Sequence, residues 1–110
     1  MPPPAVLLGI AIAIEVVGTL ALRASDGFSR PVPTAITFVA YGTAFWLLAL
    51  IVRAIPISTT YAIWSGVGTA AIAAIGMIIL GEPAGALKVL SIALIVVGVV
   101  GLNLSGAAHQ

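Results

Sequence analysis

The run AVLLGIAIAIEVVGTLAL, residues 5–22, decides what kind of protein this is, because it is apolar throughout except for a single ionisable side chain, Glu15. A helix rises about 1.5 Å per residue, so Glu15 lies roughly 15 Å along a helix begun at Ala5, and its short carboxylate reaches neither surface of a bilayer. Placing a charged acid at that depth costs at least about 2.5 kcal/mol on the most lenient insertion scale. An acid held there is by default a functional group, and the other spans are the scaffold around it.

The whole chain has the same character. Of its 110 residues 62% are hydrophobic and 6% charged, against about 25% charged in an ordinary soluble domain. The composition is that of an integral membrane protein. Since a crossing helix needs about 20 apolar residues, four crossings use about 80 and leave roughly 30 for turns and ends. No room remains for a soluble domain, so residues 1–110 form a single four-helix membrane domain. Cysteine is absent, which excludes disulfides, thiolate metal sites and thiol catalysis. The net charge of +1 singles out no partner, and no nucleic-acid partner is expected. Residues 1–4 carry no basic side chain and Glu15 interrupts the apolar core, so the first span is not read as a cleaved secretory signal.

The spans follow from the apolar runs and their punctuation. The first, residues 5–22, ends at Arg23, and residues 24–33 bring Asp26, Gly27, Arg30 and two prolines. The second spans residues 34–52 and stops near Arg53 and Pro56. The third, residues 57–80, is closed by Gly81, Glu82 and Pro83, and the fourth covers residues 86–105. The tail, residues 106–110, is small and polar, includes His109, and is expected to fray. The runs have helix length and none alternates as a barrel strand would, so the fold is all-α. Arg23, Arg30 and Lys88 lie in or beside the first and third loops, and Arg53 and the amino terminus lie opposite. That bias weakly favours a cytoplasmic side for loops one and three, and it is small enough for both orientations to insert.

Helical spacing puts Leu8, Ala11, Glu15, Gly18 and Leu22 on one face, with the small Ala11 and Gly18 flanking the acid. Such residues leave space beside a functional group, and they equally allow a close helix contact. In the second span Tyr41, Phe45 and Leu48 share a face. In the third, Tyr61, Trp64 and Gly68 do. Tyr61 suits the aromatic belt of a membrane interface, but Trp64 and Tyr41 lie about 10 Å inside their spans, where a polar handle needs a partner. Carboxylate and aromatic faces at one depth fit a hydrophobic cation, each face supplying about 0.5–2 kcal/mol; packing alone is the competing reading. Gly66 and Gly68 make a bend or a tight contact possible in span three. Ser91, Leu94, Ile95, Gly98 and Gly101 give span four a strip that reads as a helix-association surface. Asn103, near its far end, either marks the membrane interface or hydrogen-bonds a partner helix. No nucleophile, base and orienting acid occur together, so no enzyme is expected.

The segments EVVGT (15–19), GFSR (27–30), FWLLA (45–49) and YAIWSGVG (61–68) resemble the small multidrug resistance family over almost the whole chain. Gly18, Tyr41, Ser65 and Asn103 resemble its EmrE-type branch, which exports quaternary and aromatic cations. The guanidinium-exporting branch typically carries Trp at the position of Gly18 and Lys at that of Asn103. The resemblance implies a proton-coupled exporter in the cell inner (plasma) membrane, with the proton as coupling ion and no cofactor or metal. It implies an antiparallel dimer in which Glu15 of each copy binds protons or substrate, with Ala11, Gly18, Tyr41, Phe45, Leu48, Tyr61 and Trp64 lining the site. It further implies that Gly66 and Gly68 permit bending, and that residues 91–99, through Ser91, Leu94, Ile95, Gly98 and Val99, form the dimer contact. The chain departs from the EmrE-type pattern at Ala5, where that branch has tyrosine, at Ala44, where it has serine, and at Ser91, where the dimer motif begins with glycine. The expected partners are small hydrophobic cations, membrane lipid and a second copy. The open alternatives are a guanidinium or polyamine exporter, one half of a paired heterodimer, or a non-transporting assembly subunit in which Glu15 is a structural hydrogen-bonding group.

Overall fold

The computed structural model describes residues 2–105; the tail expected to fray, with His109, lies outside them. Four helices account for most of the described chain: α1 (Pro4–Ala24), α2 (Pro31–Ile51), α3 (Ile57–Ile78) and α4 (Ala86–Leu104). Each is long and apolar enough to cross a membrane, and no strand occurs among the described residues. The protein is a multi-pass, all-α membrane protein.

Proline sets where the helices begin. Pro4 is the first residue of α1, and the carbonyl of Pro3 accepts from the backbone N–H groups of Val6 and Leu7 at 3.0 and 3.1 Å. In α2 both Pro31 and Pro33 fall in the first turn, where a backbone N–H would have no helical partner, so the helix starts three residues before the expected Thr34. The Thr34 hydroxyl then donates to the Arg30 carbonyl at 2.6 Å. At the other end of the chain's second half, α3 stops at Ile78, short of the expected Leu80, because Gly81 takes a left-handed φ of +71° and turns the backbone out of the helix.

The described residues form two compact units, the first ending at Ala54 and the second beginning at Ile55. In the first, α1 and α2 make a helical hairpin. Leu7, Leu8, Ala11, Ile12 and Val16 are buried on α1, as are Ala40, Ala44, Leu47 and Ile51 on α2. The α1–α2 corner is built on Ser25, which is fully buried. Its hydroxyl donates to the Leu22 carbonyl at 2.6 Å and accepts from the Phe28 N–H at 3.1 Å, while its carbonyl accepts from the N–H groups of Ser29 and Arg30. Three consecutive residues, Asp26, Gly27 and Phe28, take left-handed φ values of +49°, +68° and +66°. That conformation costs roughly 1–2 kcal/mol for each residue with a Cβ. The Ser25 hydrogen bonds offset it, as does the stack of the Phe28 ring on Phe38 of α2, with centroids 5.6 Å apart and planes 17° from parallel.

In the second unit α3 packs on α4. Gly66 is buried, and a Cβ built there would lie 2.5 Å from Val99 Cγ2 and 3.3 Å from Ile95 Cγ2. The two branched side chains of α4 thus seat against a bare patch of α3 backbone. At the α3–α4 turn the Glu82 N–H donates to the Gly76 carbonyl at 2.9 Å, and the Glu82 carboxylate lies over Gly76. Lys88 reaches Glu82 Oε1 at 3.8 Å and donates to the Pro83 carbonyl at 3.2 Å.

Candidate functional site

Glu15 is residue twelve of the 21 in α1, about 15 Å from either end at 1.5 Å per residue. It is half-buried. A carboxylate at that depth needs donors, and the structure supplies one a single turn away: the Thr19 hydroxyl donates to Glu15 Oε1 at 2.9 Å. Thr19 Oγ1 in turn lies 2.8 Å from the Tyr41 phenol oxygen on α2. The result is a continuous chain of polar groups, Glu15, Thr19 and Tyr41, crossing from α1 to α2 within the apolar part of the hairpin. Neither helix brings another charged side chain into the span, since α2 has none and the other charge of α1 is Arg23 in its last turn.

Gly18 explains why Tyr41 arrives there. A Cβ at residue 18 would lie 2.8 and 2.9 Å from Tyr41 Cδ1 and Cε1 and 3.1 Å from Ala40 Cβ. The room that glycine leaves beside the acid is therefore taken up by the Tyr41 ring. Ala11, the other small residue of that face, is fully buried in the helix contact. Phe45, one turn beyond Tyr41, points outward at 61% exposure, and Leu48 is half-buried.

In the second unit Tyr61 is 69% exposed and Trp64 half-buried on α3. Helix α3 runs unbroken through the buried Gly66 and Gly68. The expected contact strip of α4 divides into two faces. Ile95 and Val99 turn toward α3 at Gly66, whereas Ser91, Leu94 and Gly98 are exposed, as is Asn103. No residue of α4 is buried.

Thr19 is the residue that the sequence reading did not single out as a site member. The signal was present, because a hydroxyl four residues beyond an acid on a helix falls within hydrogen-bonding reach of it.

Comparison with known proteins supplies the family. A family model described as Small Multidrug Resistance protein matches residues 4–95. The chain belongs to the small multidrug resistance family. Among curated members of that family, Multidrug resistance protein Mmr of Mycobacterium tuberculosis is 49% identical over 98 residues, 88% of this chain and 92% of the relative. The quaternary ammonium compound-resistance protein QacE of Escherichia coli is 43% identical over 101 residues, 92% of each chain. A guanidinium exporter of Yersinia pestis is 40% identical over 100 residues, 91% of this chain and 96% of the relative. Small multidrug resistance proteins thus bear the names of exporters and resistance proteins.

Proposed function

We propose that this protein exports lipophilic and quaternary ammonium cations in exchange for protons, with Glu15 as the group that holds either one. The observation that carries the reading is a solitary mid-span carboxylate tied through Thr19 to an aromatic phenol on the neighbouring helix. The carboxylate supplies charge and the Tyr41 ring beside it supplies a π-face, a pairing that suits a hydrophobic cation; the resemblance adds Phe45, Tyr61 and Trp64 as further aromatic groups of the proposed site. Because protons and cation neutralise the same acid, loading of one displaces the other. The names of the Mmr and QacE relatives, multidrug and quaternary ammonium resistance, support that substrate class.

Four helices with one acid make a poor pore, but two copies related by an in-plane two-fold axis give the inverted-repeat design of alternating-access carriers. The proposed functional unit is accordingly an antiparallel dimer, with flexing of α3 at Gly66 and Gly68 as part of the switch. If two protons enter for each monovalent cation that leaves, one net charge moves inward. A 100 mV potential then contributes about 2.3 kcal/mol and each pH unit about 1.4 kcal/mol per proton.

Guanidinium export is the second reading, favoured by the Yersinia relative's name. Gly18 argues against it. The guanidinium-exporting branch typically carries Trp at that position, and here a Cβ would lie only 2.8 Å from the Tyr41 ring.

The test is Glu15→Gln in cells challenged with a quaternary ammonium compound. The variant is expected to insert normally and to lose resistance and cation-driven proton release together. Undiminished resistance would remove Glu15 from the mechanism.

A further inference from the structure

We infer that Thr19 is a positioning residue of the exchange cycle, a hydroxyl whose hydrogen-bond direction reverses with the load on Glu15 and transmits that load to Tyr41. The inference rests on Glu15 being the exchange site.

A threonine hydroxyl has one proton to donate and two lone pairs to accept with. Thr19 gives its proton to Glu15 Oε1, so at its 2.8 Å contact with Tyr41 it must accept, and the phenol must donate. The chain of donation then runs from Tyr41 to Thr19 to Glu15, and it terminates on a negative charge, the arrangement in which hydrogen bonds are strongest. A cation bound at Glu15 leaves the carboxylate ionised and the direction unchanged. A proton on Oε1 changes it, because that oxygen now carries the O–H that faces Thr19. Thr19 then accepts from Glu15 and donates to the phenol oxygen, and the Tyr41 proton turns away. No proton is transferred along the chain; the Glu15 O–H arrives with the load, and the hydroxyl hydrogens of Thr19 and Tyr41 reorient. The two loads that compete for one acid are thereby read as two different states of a residue on α2.

The geometry keeps this coupling specific. Gly18 seats the Tyr41 ring, leaving the phenol little room to swing out of reach, and no other charged group of α1 or α2 shares the span with Glu15.

The experiment uses the full chain in lipid bicelles, tyrosine labelled at Cζ, and tetraphenylphosphonium as the probe cation. In the parent the Tyr41 Cζ resonance should shift between the proton-loaded and cation-loaded protein. Thr19→Val should abolish that shift and weaken tetraphenylphosphonium binding at fixed pH about tenfold, the size of losing one hydrogen bond to a charged acceptor. Thr19→Ser should restore both. Tyr41→Phe should also weaken binding, and the Thr19→Val, Tyr41→Phe pair should lose no more than Thr19→Val alone, since both cut one chain. A Tyr41 shift that persists in Thr19→Val, a serine variant that behaves like valine, or losses that multiply in the pair would each overturn the role of Thr19. If Thr19→Val does not fold, serine rescue is replaced by comparing Thr19→Ser with Tyr41→Phe: serine is expected to keep binding within about twofold while phenylalanine loses it, and the reverse overturns the inference. Absence of cation-driven proton release in the parent would instead strike the exchange reading itself.

Discussion

The Tyr41 ring of α2 occupies the space where Gly18 of α1 would carry a side chain, its nearest carbon 2.8 Å from the position of the missing Cβ. One glycine therefore sets both the closeness of the two helices and the place of the phenol that reaches Thr19.

Gly18→Ala is expected to push Tyr41 out of its seat and separate its phenol from Thr19. Overpacking of this kind costs about 1–3 kcal/mol, so thermal unfolding in detergent should start at lower temperature and cation affinity should fall. An alanine variant as stable as the parent, with the same affinity, would show that the ring is not seated as described.

Trp64→Ala should weaken binding of an aromatic quaternary cation about two- to thirtyfold, the range of one cation–π contact. Folding should suffer less, because Trp64 is only half-buried. Isothermal titration of parent and variant decides the matter, and equal affinities would contradict the aromatic-face reading.

At Gly66 a Cβ would meet Val99 Cγ2 at 2.5 Å. Gly66→Ala should loosen the α3–α4 pair by about 1–3 kcal/mol, and adding Val99→Ala should recover part of the loss because it removes the clashing methyl groups. Failure of Val99→Ala to recover any stability would mean that another contact is responsible. A transport defect that outlasts the recovery of stability would point to a need for flexibility at the glycine.

Accessibility tags at the two chain ends should each be found on both faces of the membrane if copies pair antiparallel, as the small charge bias between the loops permits. Labelling confined to one face would favour a parallel or mixed pair.

The spans were legible because eighteen or more apolar residues have few other destinations, and Glu15 was legible because nothing else in its span ionises. Their edges were less so. Prolines at 31 and 33 look like a loop in the sequence, yet the first turn of a helix needs no donor from them, and α2 starts there. Periodicity placed Tyr41 and Phe45 on one face, but it sets only the direction of each Cβ. The vacancy at Gly18 draws the Tyr41 ring inward, while Phe45 stays outside. Thr19 was hidden for a similar reason: it lies one position past Gly18, at the rim of the face drawn through Ala11, Glu15 and Leu22, and only the arrival of Tyr41 makes its hydroxyl a link.

The three left-handed residues at the α1–α2 corner are cross-braced by Ser25 and by the Phe28–Phe38 stack. A corner so constrained is a poor place for bending. Helices α1 and α2 should travel as one stiff body during any change of access, carrying Glu15, Thr19 and Tyr41 together without altering their spacing, so the moving joints of a transport cycle have to be sought elsewhere in the chain.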